Sequence, residues 1–294
     1  MTLEQLRIFS AVAERQHVTR AAEALNLAQS AVSASVAALE GQYRTKLFHR
    51  VGRGIELTEA GALFLEEARA VLARAHGAEL LLADLGGLMR GTLTVAASQT
   101  VASYWLPRHL VAFRARHPAI EIALRIRNSA EVADAVRAGE AALGFVEGPL
   151  DDPALETIMV AQDQLVIVVA PDHPWASAPP DAAGLAGTGW ASREVGSGTR
   201  AEFEAALGAL GIAVADLPIA IELPGNEAVR AAVEAGAGAA ALSASVVAGS
   251  LEAGLLHHVP FPLPARPFRL VRHRERHRSK AADAMVSILG VAAG

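Results

Sequence analysis

Residues 18–39, VTRAAEALNLAQSAVSASVAAL, constrain the fold more than any other stretch of the chain. Ala22 stands where one short helix is crossed closely by a second, and a larger side chain would hold the two apart. Asn26, four residues on, tolerates the left-handed backbone that ends a helix and turns the chain sharply. Val32 follows as the apolar anchor of the second helix, with Leu25, Leu27 and Val36 filling the shared core. This is the spacing of a helix-turn-helix. The second helix then offers its N-terminal face outward, carrying Gln29, Ser30 and Ser33, short polar groups suited to base edges and phosphates. Thr19 and Arg20, at the start of the first helix, are counted with these DNA-facing residues. A small Ala-rich hairpin that only packs against protein has the same local pattern.

The next segment, RTKLFHRVGRGIEL over 44–57, sets Lys46, Arg50 and Arg53 around a Gly-containing turn between short apolar runs. It predicts a β-hairpin wing whose arginines reach backbone phosphates or a minor groove. Thr58 is a fitting N-cap for a helix running to residue 85. Along it Leu63, Phe64, Ala68, Val71, Leu72 and Ala75 recur at three- and four-residue steps, and Leu80, Leu81, Leu82 and Leu85 widen the apolar face. Such a helix between two domains is covered most economically by a second copy of itself. Lying on its own C-terminal domain is the other arrangement. Gly86 and Gly87, with Gly91 close behind, mark a hinge.

Composition sets limits without choosing a function. The 294 residues allow a small domain plus a larger one, and the chain has no cysteine, which removes disulfides and thiolate chemistry. No basic-then-apolar leader precedes the first helix and no apolar run approaches about 20 residues, so a cytoplasmic protein with no membrane partner is expected. The net charge of −5 argues against a protein that coats nucleic acid. It does not argue against a reader of one site, because the first 57 residues hold seven Lys/Arg against five Asp/Glu.

From residue 92 the pattern becomes alternating strands and helices: a strand over 92–97, a helix over 100–116, a strand over 120–126, a helix over 130–138 and a strand over 142–146. Those are right-handed βαβ units on a parallel sheet. A strand pair after Pro153 leads to 165–170 and a second series. Its strands fall near 189–191, 219–222 and 239–242, its helices near 199–210 and 227–235. Residues 266–272 and a last helix over 281–292 return to the first subdomain. Two sheets joined by two crossings make a hinged α/β clamshell, as in type 2 periplasmic binding proteins.

Ligands of such folds sit at strand-to-helix turns facing the cleft. One turn is Ala97-Ser98-Gln99-Thr100, where hydroxyls and the helix N-terminus suit an anion. The other is Arg193-Glu194-Val195-Gly196-Ser197-Gly198-Thr199-Arg200, in which Ser197, Thr199 and Arg193 or Arg200 are available donors. Asn128, Glu147 and Asn226 end or follow strands and are expected to line the same cleft. Glu147 would receive a donor from the ligand or pair with an arginine across the hinge. Ordinary capping, and a tight turn with surface arginines, explain each turn alone equally well, but their occurrence at equivalent places in the two subdomains favours a ligand site.

LRIFSAVAERQHVTRAAEALNLAQSAVSASVAALE followed by KLFHRVGRGIELTEAG resembles the N-terminal domain of LysR-type transcriptional regulators. Residues 91–294 resemble their effector-binding domain. ASQTVASYWLPRHL, GFVEGP and REVGSGTR look most like the branch that includes regulators of carbon fixation and sulfur assimilation. The resemblance implies an all-α winged helix-turn-helix over 1–58, a linker and dimerisation helix with its hinge over 59–90, and an effector-binding domain over 91–294. Within the last, subdomain I is 91–162 with 266–294 and subdomain II is 163–265. It further implies a bacterial homodimer through the linker helix, assembled as a homotetramer, with double-stranded promoter DNA and a small anionic effector as partners. No cofactor, metal or enzymatic activity is implied.

Three positions depart from the family pattern. Ala28-Gln29-Ser30 stands where Ser-Gln-Pro is common, and Ala34 stands where a basic residue is common. Ala28 cannot cap, and Ala34 removes one phosphate or guanine contact. His273-Arg274-Glu275-Arg276-His277 is not expected to bind zinc, because the zinc-protease order needs Glu directly after the first His on a helix. The basic run 266–280 is expected as a solvated strand edge followed by a helix capped by Ser279. The remaining alternative is a solute-binding or enzymatic α/β module with an N-terminal protein-association hairpin.

Overall fold

Thr2 opens the chain with a reciprocal cap: its hydroxyl accepts from the Gln5 N–H while the Gln5 side chain accepts from the Thr2 N–H. The structure, a computed structural model, describes residues 1–51, 54–85 and 91–290. The chain divides into two units, one of Met1–Gly87 with Ala138–Glu140 and one comprising Leu88–Arg137 and Ala141–Gly294.

In the first unit α1 (Leu3–Arg15) is followed by α2 (Val18–Leu25) and α3 (Gln29–Tyr43). Asn26 takes the left-handed conformation at φ 54°, and its N–H returns to the Ala22 and Glu23 carbonyls. Ala21, Ala22 and Val32 are buried with Ile8 and Val12 of α1, and Leu25 and Val36 pack around them. Leu27 does not join this core. The turn carries it past the end of α2, where it is 37% exposed. The wing forms as β1 (Phe48–Val51) and β2 (Gly54–Leu57), antiparallel from Phe48↔Leu57 to Val51↔Gly54. Thr58 then caps α4 (Glu59–Leu85), its hydroxyl accepting from the Gly61 N–H at 3.0 Å.

The apolar positions of α4 do not form one face. Phe64, Leu65, Ala68 and Leu72 pack against Leu6 and Phe9 of α1, whereas Leu63, Val71, Leu81 and Leu82 stay exposed, Leu82 at 70%. Successive helical residues are about 100° apart, which is enough to pack Phe64 against the core and leave Leu63 exposed. The side chains of Leu80 and Leu85 and the expected hinge residues Gly86 and Gly87 lie outside the described residues.

The second unit begins with β3 (Gly91–Ser98), α5 (Leu106–Arg116), β4 (Ile120–Arg127), α6 (Ser129–Ala138) and β5 (Leu143–Glu147), with β3 parallel to both β4 and β5. The helix expected over 100–116 starts instead as a π-turn, Val101–Trp105, closed by the Leu106 N–H on the Val101 carbonyl. Pro107 supplies no N–H to the Ser103 carbonyl, so the regular ladder is interrupted there.

One long strand replaces the strand pair expected after Pro153. This is β6 (Leu155–Val169). Residues 155–164 pair with β11 (Ala265–His273), and residues 165–169 pair with β9 (Ala240–Ser243) and β10 (His257–Val259). The two expected sheets are thus two ends of one seven-stranded sheet ordered β10-β6-β11-β5-β3-β4, with β9 also on β6. A second parallel pair, β7 (Trp190–Arg193) and β8 (Ile219–Leu223), attaches through a Trp190–Ala239 bridge. Helices α7 (Gly198–Ala209), α8 (Asn226–Glu234), α9 (Ala244–Glu252) and α10 (Lys280–Ile288) cover the sheets. The Gly-, Ser- and Val-rich sequence of α9 has weak helix propensity, and its Ser243 cap starts it.

The basic run is not a solvated edge. β11 lies between β6 and β5, and its alternation turns Arg266 inward with Phe268 and Leu270. Arg272 is also buried, its Nε 2.6 Å from Glu156 Oε2. Ser279 caps α10 by accepting from the Ala282 N–H at 3.2 Å. Residues 291 and 292 of the expected last helix lie outside the described residues.

Candidate functional site

Ser98 is the last residue of β3, Glu147 the last of β5, Thr199 stands in the first turn of α7, and Asn226 opens α8. Strand ends of the seven-stranded sheet therefore converge with the starts of the helices that follow the β7–β8 pair. Gly198 makes the approach possible, because a Cβ there would lie 1.9 Å from the Glu147 carbonyl oxygen. Around it Ser98, Thr100, Glu147, Arg193, Thr199 and Asn226 are all buried.

The hydrogen bonds fall into two linked sets. In the first, Ser98 Oγ donates to Glu147 Oε2 and Thr199 Oγ1 donates to Glu147 Oε1 at 3.3 Å. Behind Thr199, Arg266 Nη1 donates to Oγ1 at 3.0 Å. In the second, the Asn226 N–H donates to Gln99 Oε1 at 2.9 Å and Asn226 Nδ2 to Thr100 Oγ1 at 3.0 Å, while Arg193 Nη1 donates to Asn226 Oδ1. Arg193 is held by a two-pronged pair with Glu194, at 2.7 and 2.8 Å. Burial pushes the Glu194 carboxyl up, but the Arg193 guanidinium outweighs it and holds the group below its usual range.

The structure thus brings together seven of the nine cleft residues expected from sequence: Ser98, Gln99, Thr100, Glu147, Arg193, Thr199 and Asn226. The other two act as caps. Asn128 accepts from the Glu131 N–H at 3.0 Å while Glu131 Oε2 accepts from the Asn128 N–H at 3.1 Å. Ser197 accepts from the Arg200 N–H at the start of α7. Glu147 pairs with hydroxyls rather than with the arginine expected across the hinge. Arg200 turns away to Glu204 and Glu222, at 2.7 and 2.6 Å.

Arg266 and Asp163 were missed. Arg266 Nε donates to Asp163 Oδ2 at 2.8 Å, Nη2 lies 2.7 Å from the same oxygen, and Ser243 Oγ donates to Asp163 Oδ1 at 2.8 Å. A signal was present: an arginine in phase with Phe268 and Leu270 on one strand face must be buried, and a buried charge needs a partner.

At the mouth of the cleft Gln99, Ser103, Tyr104, Ile126, Asn226 and Glu227 surround a pocket of about 410 Å³. Tyr104, presented by the π-turn, donates its hydroxyl to Glu227 Oε1 of α8 at 2.7 Å. Burial, then the Glu227 carboxylate, push the phenol up to about 12.

In the first unit, Thr19, Gln29, Ser33 and Arg50 line one surface hollow of about 330 Å³ between α2, the start of α3 and the wing. Arg20 and Ser30 are exposed but do not line it. Arg53 lies outside the described residues. Lys46 is not at the wing tip; its Nζ is 2.6 Å from Glu40 Oε2. Ala28 occupies the N-cap of α3 at φ −69° and ψ 140°, with no side-chain cap bond. Ala28→Ser fits that backbone and is expected to stabilise the first unit by about 1 kcal/mol, read as a higher midpoint in urea unfolding.

Residues 3–62 match the bacterial regulatory helix-turn-helix protein, lysR family, and residues 86–293 match the LysR substrate binding domain. The HTH-type transcriptional regulator YeiE of Escherichia coli is 36% identical over 286 residues, covering 96% of this chain and 94% of that protein. A probable RuBisCO transcriptional regulator of Trichormus variabilis is 34% identical over 289 residues, covering 96% and 86%. Full-length CbnR complexed with its target DNA is similar in structure, with a TM-score of 0.69 at 25% identity and 99% coverage of both chains. With both domains matched in order along nearly all of its length, the chain belongs to the LysR family of transcriptional regulators, a DNA-binding helix-turn-helix protein with an effector-binding domain and not an enzyme.

Proposed function

We propose that this regulator reads double-stranded promoter DNA as a dimer and that a small anionic metabolite in the buried cleft controls it. The observation that carries the DNA reading is the hollow formed by Thr19, Gln29, Ser33 and Arg50. It unites the start of the recognition helix, which meets base edges, with a wing arginine, which meets phosphate. Arg20, Ser30 and, by its place in the sequence of the wing, Arg53 are assigned to DNA contact as well. The bared Leu63, Val71, Leu81 and Leu82 of α4 are the surface for the second copy, and homotetramer assembly follows the family. No described helix is long and apolar enough to cross a membrane, in keeping with a cytoplasmic regulator.

Control is assigned to closure of subdomain I (91–162 and 266–294) on subdomain II (163–265). Ser98, Gln99, Thr100, Glu147, Arg193, Thr199 and Asn226 form the facing surfaces, with Asn128 and Ser197 fixing the helix starts beside them. A ligand acts only through a difference in affinity between the open and closed arrangements.

The test is binding of the full chain to its own upstream DNA and to scrambled DNA over a salt series, followed by fluorescence anisotropy. Arg50→Ala is expected to weaken both and flatten the slope of log K against log salt by about 1. Gln29→Ala is expected to lose about 1–3 kcal/mol on the preferred site only. Equal binding of upstream and scrambled DNA by the unaltered chain sinks the proposal.

A further inference from the structure

The buried charges of the cleft are unequally partnered. Arg266 faces Asp163 and Arg193 faces Glu194. Glu147 faces hydroxyls: Ser98 Oγ from the end of β3 and Thr199 Oγ1 from the first turn of α7. These are the same two hydroxyls, at the same two strand-to-helix turns, that suit an anionic ligand. The position between them is filled by a carboxylate that the chain itself supplies. Arg266 stands behind Thr199 at 3.0 Å and biases the position toward negative charge.

We propose that Glu147 is a tethered stand-in for the effector's anionic group, and that the effector is a small carboxylate which takes the Ser98 and Thr199 hydroxyls by displacing it. This rests on the reading that the effector binds in this cleft. Two carboxylates cannot share one buried pair of donors, because their charges repel and each requires the same hydrogens. The stand-in also joins the two sides of the cleft, since Ser98 ends β3 and Thr199 starts the helix that follows β7. Glu147 thus adds one bond to those that Asn226 makes with Gln99 and Thr100 across the cleft before any effector arrives. Effector affinity is reduced in proportion to the time Glu147 spends on the site. The recognised group is a carboxylate rather than a phosphate, because the site holds two hydroxyl donors and one shared guanidinium, enough for the two oxygens Glu147 presents.

The experiment is a thermal-shift titration of the full chain with acetate, acetamide and inorganic phosphate at fixed pH and ionic strength. Glu147→Ala and Glu147→Gln are compared with the unaltered protein. Emptying the position should let free acetate enter, so acetate should stabilise Glu147→Ala at a concentration at least about ten-fold lower than the unaltered chain requires. Acetamide, of the same shape without charge, should not do so, and adding Thr199→Val to Glu147→Ala should remove the gain. Glu147→Gln keeps the shape and removes the charge, so it should shift in the same direction even where the alanine variant folds poorly. Acetate acting equally on all three proteins overturns the stand-in, and phosphate acting more strongly than acetate on Glu147→Ala overturns the carboxylate class. The cleft reading fails on a different result: a metabolite that alters DNA binding undiminished by Thr199→Ala and Asn226→Ala.

Discussion

Replacing Arg266 with methionine is expected to destabilise the effector-binding unit by about 3–5 kcal/mol, the loss typical of stripping a buried charge of its partner. The Asp163 side chain is only 5% exposed and Arg266 only 1%. Methionine fills much of the arginine volume, so the loss is electrostatic rather than a cavity. Asp163 would keep the Ser243 hydroxyl alone, and Thr199 would lose the donor that fixes its oxygen. The double variant Arg266→Met with Asp163→Leu removes both charges and should recover most of the stability. Urea unfolding of the single and double variants separates the two contributions. A single variant as stable as the unaltered chain would show that solvent reaches Asp163.

Glu40→Ala should destabilise the DNA-binding unit by about 2–4 kcal/mol, since it strips two backbone donors and a lysine of one acceptor. Glu40 Oε1 accepts from the N–H groups of Leu47 and Phe48 at 2.9 and 3.2 Å, and Oε2 from Lys46 at 2.6 Å. Burial alone pushes the carboxyl up, but Lys46 and the two backbone donors outweigh it, so the folded pKa lies below the ordinary 4.5. A depressed carboxylate contributes fully above the unfolded value and loses its contribution as pH falls through the folded one. The gap between unaltered chain and Glu40→Ala should therefore be widest near neutrality and narrow below pH 4.5. Thermal unfolding at pH 7 and in acid measures it. A gap that widens in acid would contradict the assignment.

What was legible in the sequence was local. Asn26, Val32, Thr58 and Ser279 act through neighbours within a few residues, so residue type and spacing sufficed to assign them. Ser98, Glu147, Thr199 and Asn226 were readable because strand ends and helix starts can be placed from pattern. Asn128 with Glu131 three residues later is a readable reciprocal cap, and the same side chain sits against Gly196 of the 193–200 turn. The Arg266–Asp163 pair joins residues 103 apart, and no local rule specifies such a partner. The division of α4 into a face against α1 and a bare face depends on rotation against a neighbour, which periodicity alone does not fix. Leu27 failed for a similar reason, since the turn angle decides whether it faces inward.

β6 pairs with β11 along its first ten residues and with β9 and β10 along its last five, as one strand of fifteen residues. Mechanically it is a leaf spring and not a pin joint. Two bodies clamped along one ribbon cannot slide past each other, and their separation is limited to bending and twisting of that ribbon. Any gap opened between Ser98 and Thr199 must reappear as altered curvature where β6 exchanges β11 for β9. In the proposed mechanism, the strand gears angstrom-scale exchange at the cleft to rotation of one half as a lever.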